Sequence, residues 1–201
     1  MQIQMQTIQK WKHNPFFLVC AVLFGLIAIA EPAHASGGWH RFWKSLATTA
    51  NIQIGTGPVV VYDFFDPNCP YCAEAFQREL PFIQSGKLTV RYIPVAILTP
   101  SSLGKAASIL DSPRPGHALA VDFQGVLRDG SGGIRSMTPS APVRAGIERN
   151  LQFLLQTGND VVPDLVFRLP DGHGLADGHV GMIRGLFPAS ALQAIVQGRM
   201  P

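Results

Sequence analysis

The chain has 201 residues, 16 basic against 13 acidic side chains, and a formal charge of +3. So small a positive excess makes no electrostatic case for nucleic acid or an anionic membrane surface as a partner, and a hydrophobic content of 47% excludes disorder as the main state. Three cysteines are too few for a disulfide scaffold and, by themselves, for a four-cysteine zinc site.

The N-terminal stretch reads as a targeting segment. Lys10, Lys12 and His13 form a basic region, residues 16–30 are apolar without a charge, Glu31 and Pro32 break the run, and Ala33-His34-Ala35 has the small-x-small pattern of a signal peptidase site. The run is shorter than the ~20 residues of a spanning helix. A signal peptide over residues 1–35, cleaved after Ala35, is expected; an uncleaved N-terminal anchor is the alternative. Cys20, behind the bulky Val19 inside the run, reads as a small hydrophobe rather than a lipidation site. Removing 35 residues leaves 166, with two lysines and one glutamate gone and a charge of +2. Export places the remaining pair, Cys69 and Cys72, in an oxidising compartment, the periplasm for a bacterial leader.

Residues 36–57 form an N-terminal extension with the aromatics Trp39, Phe42 and Trp43, expected to pack on the core or to dock a partner, and a short helix is expected over residues 45–52. After the turn Gly55-Thr56-Gly57-Pro58, residues 59–65 (VVVYDFF) read as a strand buried on both faces. Cys69-Pro70-Tyr71-Cys72 opens a helix through Leu80, which Pro81 is expected to kink or end. Residues 88–93 form a second strand, parallel to the first through a right-handed crossover. Residues 101–157 read as a helical insertion: a helix from Ser101-Ser102 to Leu110, another over 117–127, a Gly/Ser-rich loop over 129–140, and a helix over 142–155 ended by Gly158. A third strand covers 165–169, Asp171-Gly172-His173-Gly174 makes a hairpin turn, residues 175–180 return antiparallel, and a last helix runs from Pro188 to Val196. The order is that of an α/β domain over residues 58–201.

Three features carry chemistry. Only a thiolate attacks a disulfide, and a helix N-terminus stabilises one through its unpaired N–H groups and dipole. Cys69, nearest that end, is the expected nucleophile and Cys72, one turn deeper, the resolving thiol; half a zinc site and an inert disulfide are the other readings of C-x-x-C. Asp63 interrupts an apolar strand. If it is buried its pKa rises, and it can take and return the Cys72 proton; otherwise it is an edge acid facing water, since alternation does not settle the face. Val162-Pro163 precedes the third strand, and composition alone does not make that bond cis.

The run from Val59 to Cys72, with Phe65-Asp66-Pro67-x-Cys69-Pro70-Tyr71-Cys72 at its end, resembles the active-site strand and helix of the thioredoxin-like disulfide-exchange proteins, most of all the DsbG and DsbC catalytic domain. Ser85-Gly86-Lys87, Pro100 and Lys105-Ala106-Ala107-Ser108-Ile109-Leu110 resemble the same family's downstream segment. The resemblance implies a thioredoxin-like fold with a helical insertion before the cis-proline strand, Pro163 as the cis-proline, and Pro70, Tyr71, Val162 and Pro163 as the surface met by a substrate chain. Two features depart from DsbG: Val162 stands where Thr is usual, and Asp63 matches the buried acid of thioredoxin and DsbA. Residues 36–57 are too few for the family's dimerisation domain and linker, so a monomer is expected.

The expected function is periplasmic thiol–disulfide exchange with cysteine-containing substrate proteins, in a DsbG/DsbC-like reductase or isomerase role. No metal or organic cofactor is expected beyond the Cys69–Cys72 pair, and a DsbD-like or DsbB-like membrane protein is expected as redox partner. A DsbA-like oxidase is the nearest alternative. A non-enzymatic chaperone and a metal carrier using His173 or His179 with the thiols stand further off.

Overall fold

A computed structural model describes residues 35–170 and 178–201. The expected leader lies outside the described residues but for Ala35, as does the expected turn at 171–174 with His173. The elements are α1 (Ala35–Ser45), a 3-10 turn (Leu46–Thr48), β1 (Ile52–Ile54), β2 (Val59–Phe65), α2 (Pro70–Gln84), β3 (Leu88–Pro94), α3 (Ser102–Leu110), α4 (Pro115–Asp129), α5 (Ala141–Gln156), β4 (Asp164–Leu169), β5 (His179–Arg184) and α6 (Ala189–Val196). This is a mixed α/β fold of the thioredoxin-like kind, with three helices between β3 and β4.

The sheet order is β1-β3-β2-β4-β5. β2 is central, parallel to β3 and antiparallel to β4, and β1 and β5 pair antiparallel at the edges. That position explains the composition of β2: residues 61–65 are all buried, because both faces of a central strand are covered. Successive side chains alternate between the faces. Tyr62 meets Trp43 of α1 edge-on, ring centroids 5.0 Å apart. Phe65, on the opposite face with Asp63, joins Tyr92, Phe76 of α2 and Phe123 of α4 in a cluster of edge-on and tilted rings with centroids 5.5–6.3 Å apart.

Four expectations are corrected. The helix expected over 45–52 lies earlier, as α1, and residues 52–54 form an edge strand, because Ile52 buries its side chain while β1 pairs with β3. Of the extension's aromatics, Phe42 is buried, Trp43 is half-buried and Trp39 is exposed. Of the two effects expected of Pro81, ending the helix does not occur, since α2 runs on to Gln84. Proline's φ is already helical, its missing N–H forfeits one bond, and packing of Phe82 and Ile83 against the core outweighs that loss. The return strand is His179–Arg184, running four residues past the expected end; residues 175–177 lie outside the described residues. α4 also begins earlier than the spacing indicates, with Pro115 at its first turn.

The segment after α4 is tied down by a buried cation. Lys105 of α3 donates to the Ser131 carbonyl at 2.7 Å and stands 3.4 Å from a carboxyl oxygen of Asp122, which also accepts from the Ile134 amide. Gly125 and Gly133 let this loop lie on α4, since a Cβ at either would come within 2.5 Å of backbone atoms.

Candidate functional site

β2 ends at Phe65 and the chain must turn sharply to start α2. Asp66 organises the turn. Its Oδ1 accepts from the Asn68 amide at 2.9 Å and the Ser102 hydroxyl at 2.8 Å, and its Oδ2 from the amides of Ile97 and Leu98 at 2.9 and 3.0 Å. Asn68 reaches on to Thr99, Ser101 and Ser102. The approach to Cys69 is thereby fixed to the segment after β3 and to the start of α3.

Cys69 is the N-cap of α2 and Pro70 its first residue. The Cys69 sulfur accepts from the Cys72 backbone N–H at 3.2 Å and lies 3.7 Å from the Val162 carbonyl, to which its S–H donates. The Val162–Pro163 bond is cis, and the Pro163 carbonyl accepts from the Gly185 amide at 2.7 Å. Sequence positions 93 residues apart thus meet at one sulfur. Both cysteines are free thiols. Cys69 keeps 3% exposure and Cys72 none, so of the two only Cys69 touches solvent. Pro70 and Tyr71 stand exposed beside it, as does Val161, while Val162 and Pro163 are buried.

The electrostatics separate the two thiols. The Cys69 pKa is lowered, first by the hydrogen bond from the Cys72 thiol and then by the N–H groups of Cys72 and Tyr71, against opposition from burial and the Asp66 charge. Cys72 is pushed well above the ordinary thiol range, chiefly by burial and then by its hydrogen bond to Cys69. The two thiols thus differ in acidity, Cys69 losing its proton more readily than Cys72.

Asp63 is buried at 1% exposure, which decides its face: it points inward with α2, and neither carboxyl oxygen has a hydrogen-bond partner among the described residues. Burial raises its pKa well above the usual carboxylate value, and the charges of Glu79, Asp164 and Cys69 add to the rise.

Sequence reading missed three further buried acids. Asp66 entered the sequence reading as part of the Phe65–Cys72 motif. Glu79 lies seven residues after Cys72 on α2, fully buried, and accepts the Tyr92 hydroxyl at 2.7 Å; burial pushes its pKa up to about 8 against that hydrogen bond. Two helical turns return a side chain to the same face, so the spacing did carry a signal. Asp164, directly after Pro163, accepts from Thr157 and Asn159, and burial raises its pKa also. His179 pairs with Leu169 at the end of β4 away from Pro163, so the register separates it from the thiols.

No protein-family model matches the chain. It is 29% identical over 138 residues to the thiol:disulfide interchange protein DsbG of Pseudomonas aeruginosa, covering 66% of this chain and 52% of that one. It is 45% identical over 89 residues to DsbG of Escherichia coli, covering 43% and 36%. The chain thus spans about half or less of the length of these relatives. Among solved structures, a periplasmic thioredoxin-like protein from Salmonella enterica serovar Typhimurium superposes with a TM-score of 0.57 at 21% identity, covering 74% of this chain and 88% of that one. The chain is thus similar to DsbG over part of its length, and its fold is thioredoxin-like.

Proposed function

We propose that the chain is a periplasmic thiol–disulfide oxidoreductase acting on cysteine-containing proteins, with Cys69 as nucleophile and Cys72 as resolving thiol. The observation that carries this reading is the pairing of a helix-capping, acidified Cys69 with a buried, proton-holding Cys72 one turn deeper. The Cys69 thiolate attacks one sulfur of a substrate disulfide; a Cys69–substrate bond forms and the other substrate sulfur leaves as thiolate. Cys72 then loses its proton to Asp63 and attacks the Cys69 sulfur. The Cys69–Cys72 disulfide forms, the substrate is released as its second thiolate, and two electrons have passed from enzyme to substrate. Pro70 and Tyr71 present the exposed surface to the substrate chain, and the buried Val162–Pro163 bond backs it beside Cys69. The reaction needs no metal or organic cofactor, and a DsbD-like membrane donor restores the dithiol.

A DsbG-like role in reducing or re-pairing substrate cysteines is the reading we favour, on the sequence similarity to DsbG. The lowered Cys69 pKa supports a second reading, a DsbA-like oxidase, because a stabilised thiolate favours the reduced enzyme and makes its disulfide more oxidising. The mechanism is tested by reduction of a disulfide-containing protein: Cys69→Ser is expected to abolish it and Cys72→Ser to accumulate the mixed disulfide. Full activity of Cys69→Ser contradicts the mechanism. Equilibration with glutathione then fixes the direction: a potential near about −120 mV marks a donor of disulfides, and one below about −200 mV a reductant.

A further inference from the structure

Behind Cys72 the molecule holds more acid than a packed core needs. Asp63 and Tyr92 are direct partners in the β2–β3 ladder, so their side chains share the α2 face of the sheet. Glu79 comes down onto that face from α2, on the same side of the helix as Cys72 and Phe76, and takes the Tyr92 hydroxyl at 2.7 Å. Three of the four carboxyl oxygens, both of Asp63 and one of Glu79, have no partner among the described residues. Tyr92 needs an acceptor, but a glutamine would serve it without a buried ionisable group. Two buried carboxyls on one face of the sheet each oppose ionisation of the other.

We propose that Glu79, oriented by Tyr92, is a positioning residue of the exchange reaction that sets the proton affinity of Asp63, and through it the pH at which Cys72 can be deprotonated. The inference rests on the exchange reaction proposed above. When Cys72 resolves the mixed disulfide its proton moves to Asp63, turning a carboxylate into a carboxylic acid. A charge on Glu79 opposes the ionisation that makes Asp63 a base, so the two carboxyls titrate as one coupled system. Facing this pair are Cys69 and Cys72 from α2, Tyr92 from β3 and Asp164 from β4. On α4, His117 is exposed, Asp122 faces Lys105, and Arg128 pairs with Asp129 at the surface; α6 carries no titratable residue. Lys105 is taken up by Asp122 and Arg184 acts on Asp164; the charges acting on Asp63 itself are those of Glu79, Asp164 and Cys69, all negative, so removing the Glu79 charge eases its ionisation.

The test is the pH profile of the Cys72-dependent release of a trapped substrate, compared with Cys72→Ser, in the full chain and in Glu79→Gln. Glutamine keeps the acceptor for Tyr92 and removes the charge. The midpoint is expected to move to lower pH by about one unit, a tenfold faster release on the rising limb. Tyr92→Phe is the second variant, for use if Glu79→Gln does not fold. Loss of the hydroxyl makes Glu79 harder to ionise and moves the midpoint the same way, whereas a merely structural defect lowers the amplitude and leaves the midpoint in place. Superimposed profiles of wild type and either folded variant overturn the inference alone. Absence of any Cys72-dependent release in the wild type overturns the exchange mechanism and the inference with it.

Discussion

Asp66 offers a perturbation whose effects on stability and on chemistry have opposite signs. Asp66→Asn keeps the shape of the side chain but replaces one acceptor oxygen by an amide. In the cheaper orientation the remaining oxygen keeps the Ile97 and Leu98 amides, now at 2.9 and 3.0 Å from a neutral acceptor, and the new NH2 faces Ser102, whose hydroxyl can turn to accept. The Asn68 amide is then left without an acceptor. One orphaned N–H and the loss of charge assistance at two others amount to about 2–4 kcal/mol. Urea unfolding of the reduced protein, with m of about 2 kcal/mol/M for a domain of this size, should show the midpoint falling by about 1–2 M at constant m. Because the Asp66 charge opposes ionisation of Cys69, the same variant should also lower the Cys69 pKa, followed by thiolate absorbance in a Cys72→Ser background. A loss under 1 kcal/mol, or a Cys69 pKa that rises, refutes the reasoning.

Glu79→Gln should change the pH dependence of stability. The folded protein keeps a Glu79 proton that the unfolded chain releases, so this group's stabilisation is complete below about pH 4.5 and is lost as pH rises to about 8. The variant should gain on the wild type across that window, by at most about 5 kcal/mol, measured by urea unfolding at pH 5 and pH 8; an equal difference at both contradicts it. Gly181→Ala should cost about 1–3 kcal/mol, because a Cβ there would stand 2.3 Å from the buried Phe167 ring; thermal unfolding reads this, and an unchanged Tm is the opposing result. Asn150→Ala should cost about 2–4 kcal/mol, since its amide joins both backbone groups of Ala50 to the Pro94 carbonyl. Hydrogen exchange at Ala50 should quicken with it, and unchanged exchange and stability would show that the bridge contributes nothing.

What the sequence disclosed follows from how local each signal is. The VVVYDFF run and the Cys69-Pro70-Tyr71-Cys72 helix start are contiguous, and both the central strand and the helix N-cap stand where the pattern puts them. The burial of Asp63 was undecidable from alternation, because a strand covered on both faces has no alternation to read; pairing with both β3 and β4 settled it. β1 was missed because three residues carry almost no periodicity, and the strand exists through its ladder to β3. Pro81 does not end α2 because a helix packed on a core tolerates a proline that would stop an isolated helix. The juxtaposition of Cys69 with Val162 and the Asp66 clamp on residues 97–102 are tertiary contacts, and no spacing in the chain announces them.

One asymmetry carries the proposed chemistry, an acidified Cys69 beside a buried, protonated Cys72. It is tested most directly by alkylating the reduced protein with iodoacetamide at a series of pH values and mapping the modified cysteine by mass spectrometry. The expected result is modification at Cys69 alone, with a midpoint below the ordinary thiol range of about 8.5. Modification of Cys72 first, or of both at one rate with an ordinary midpoint, would contradict the account.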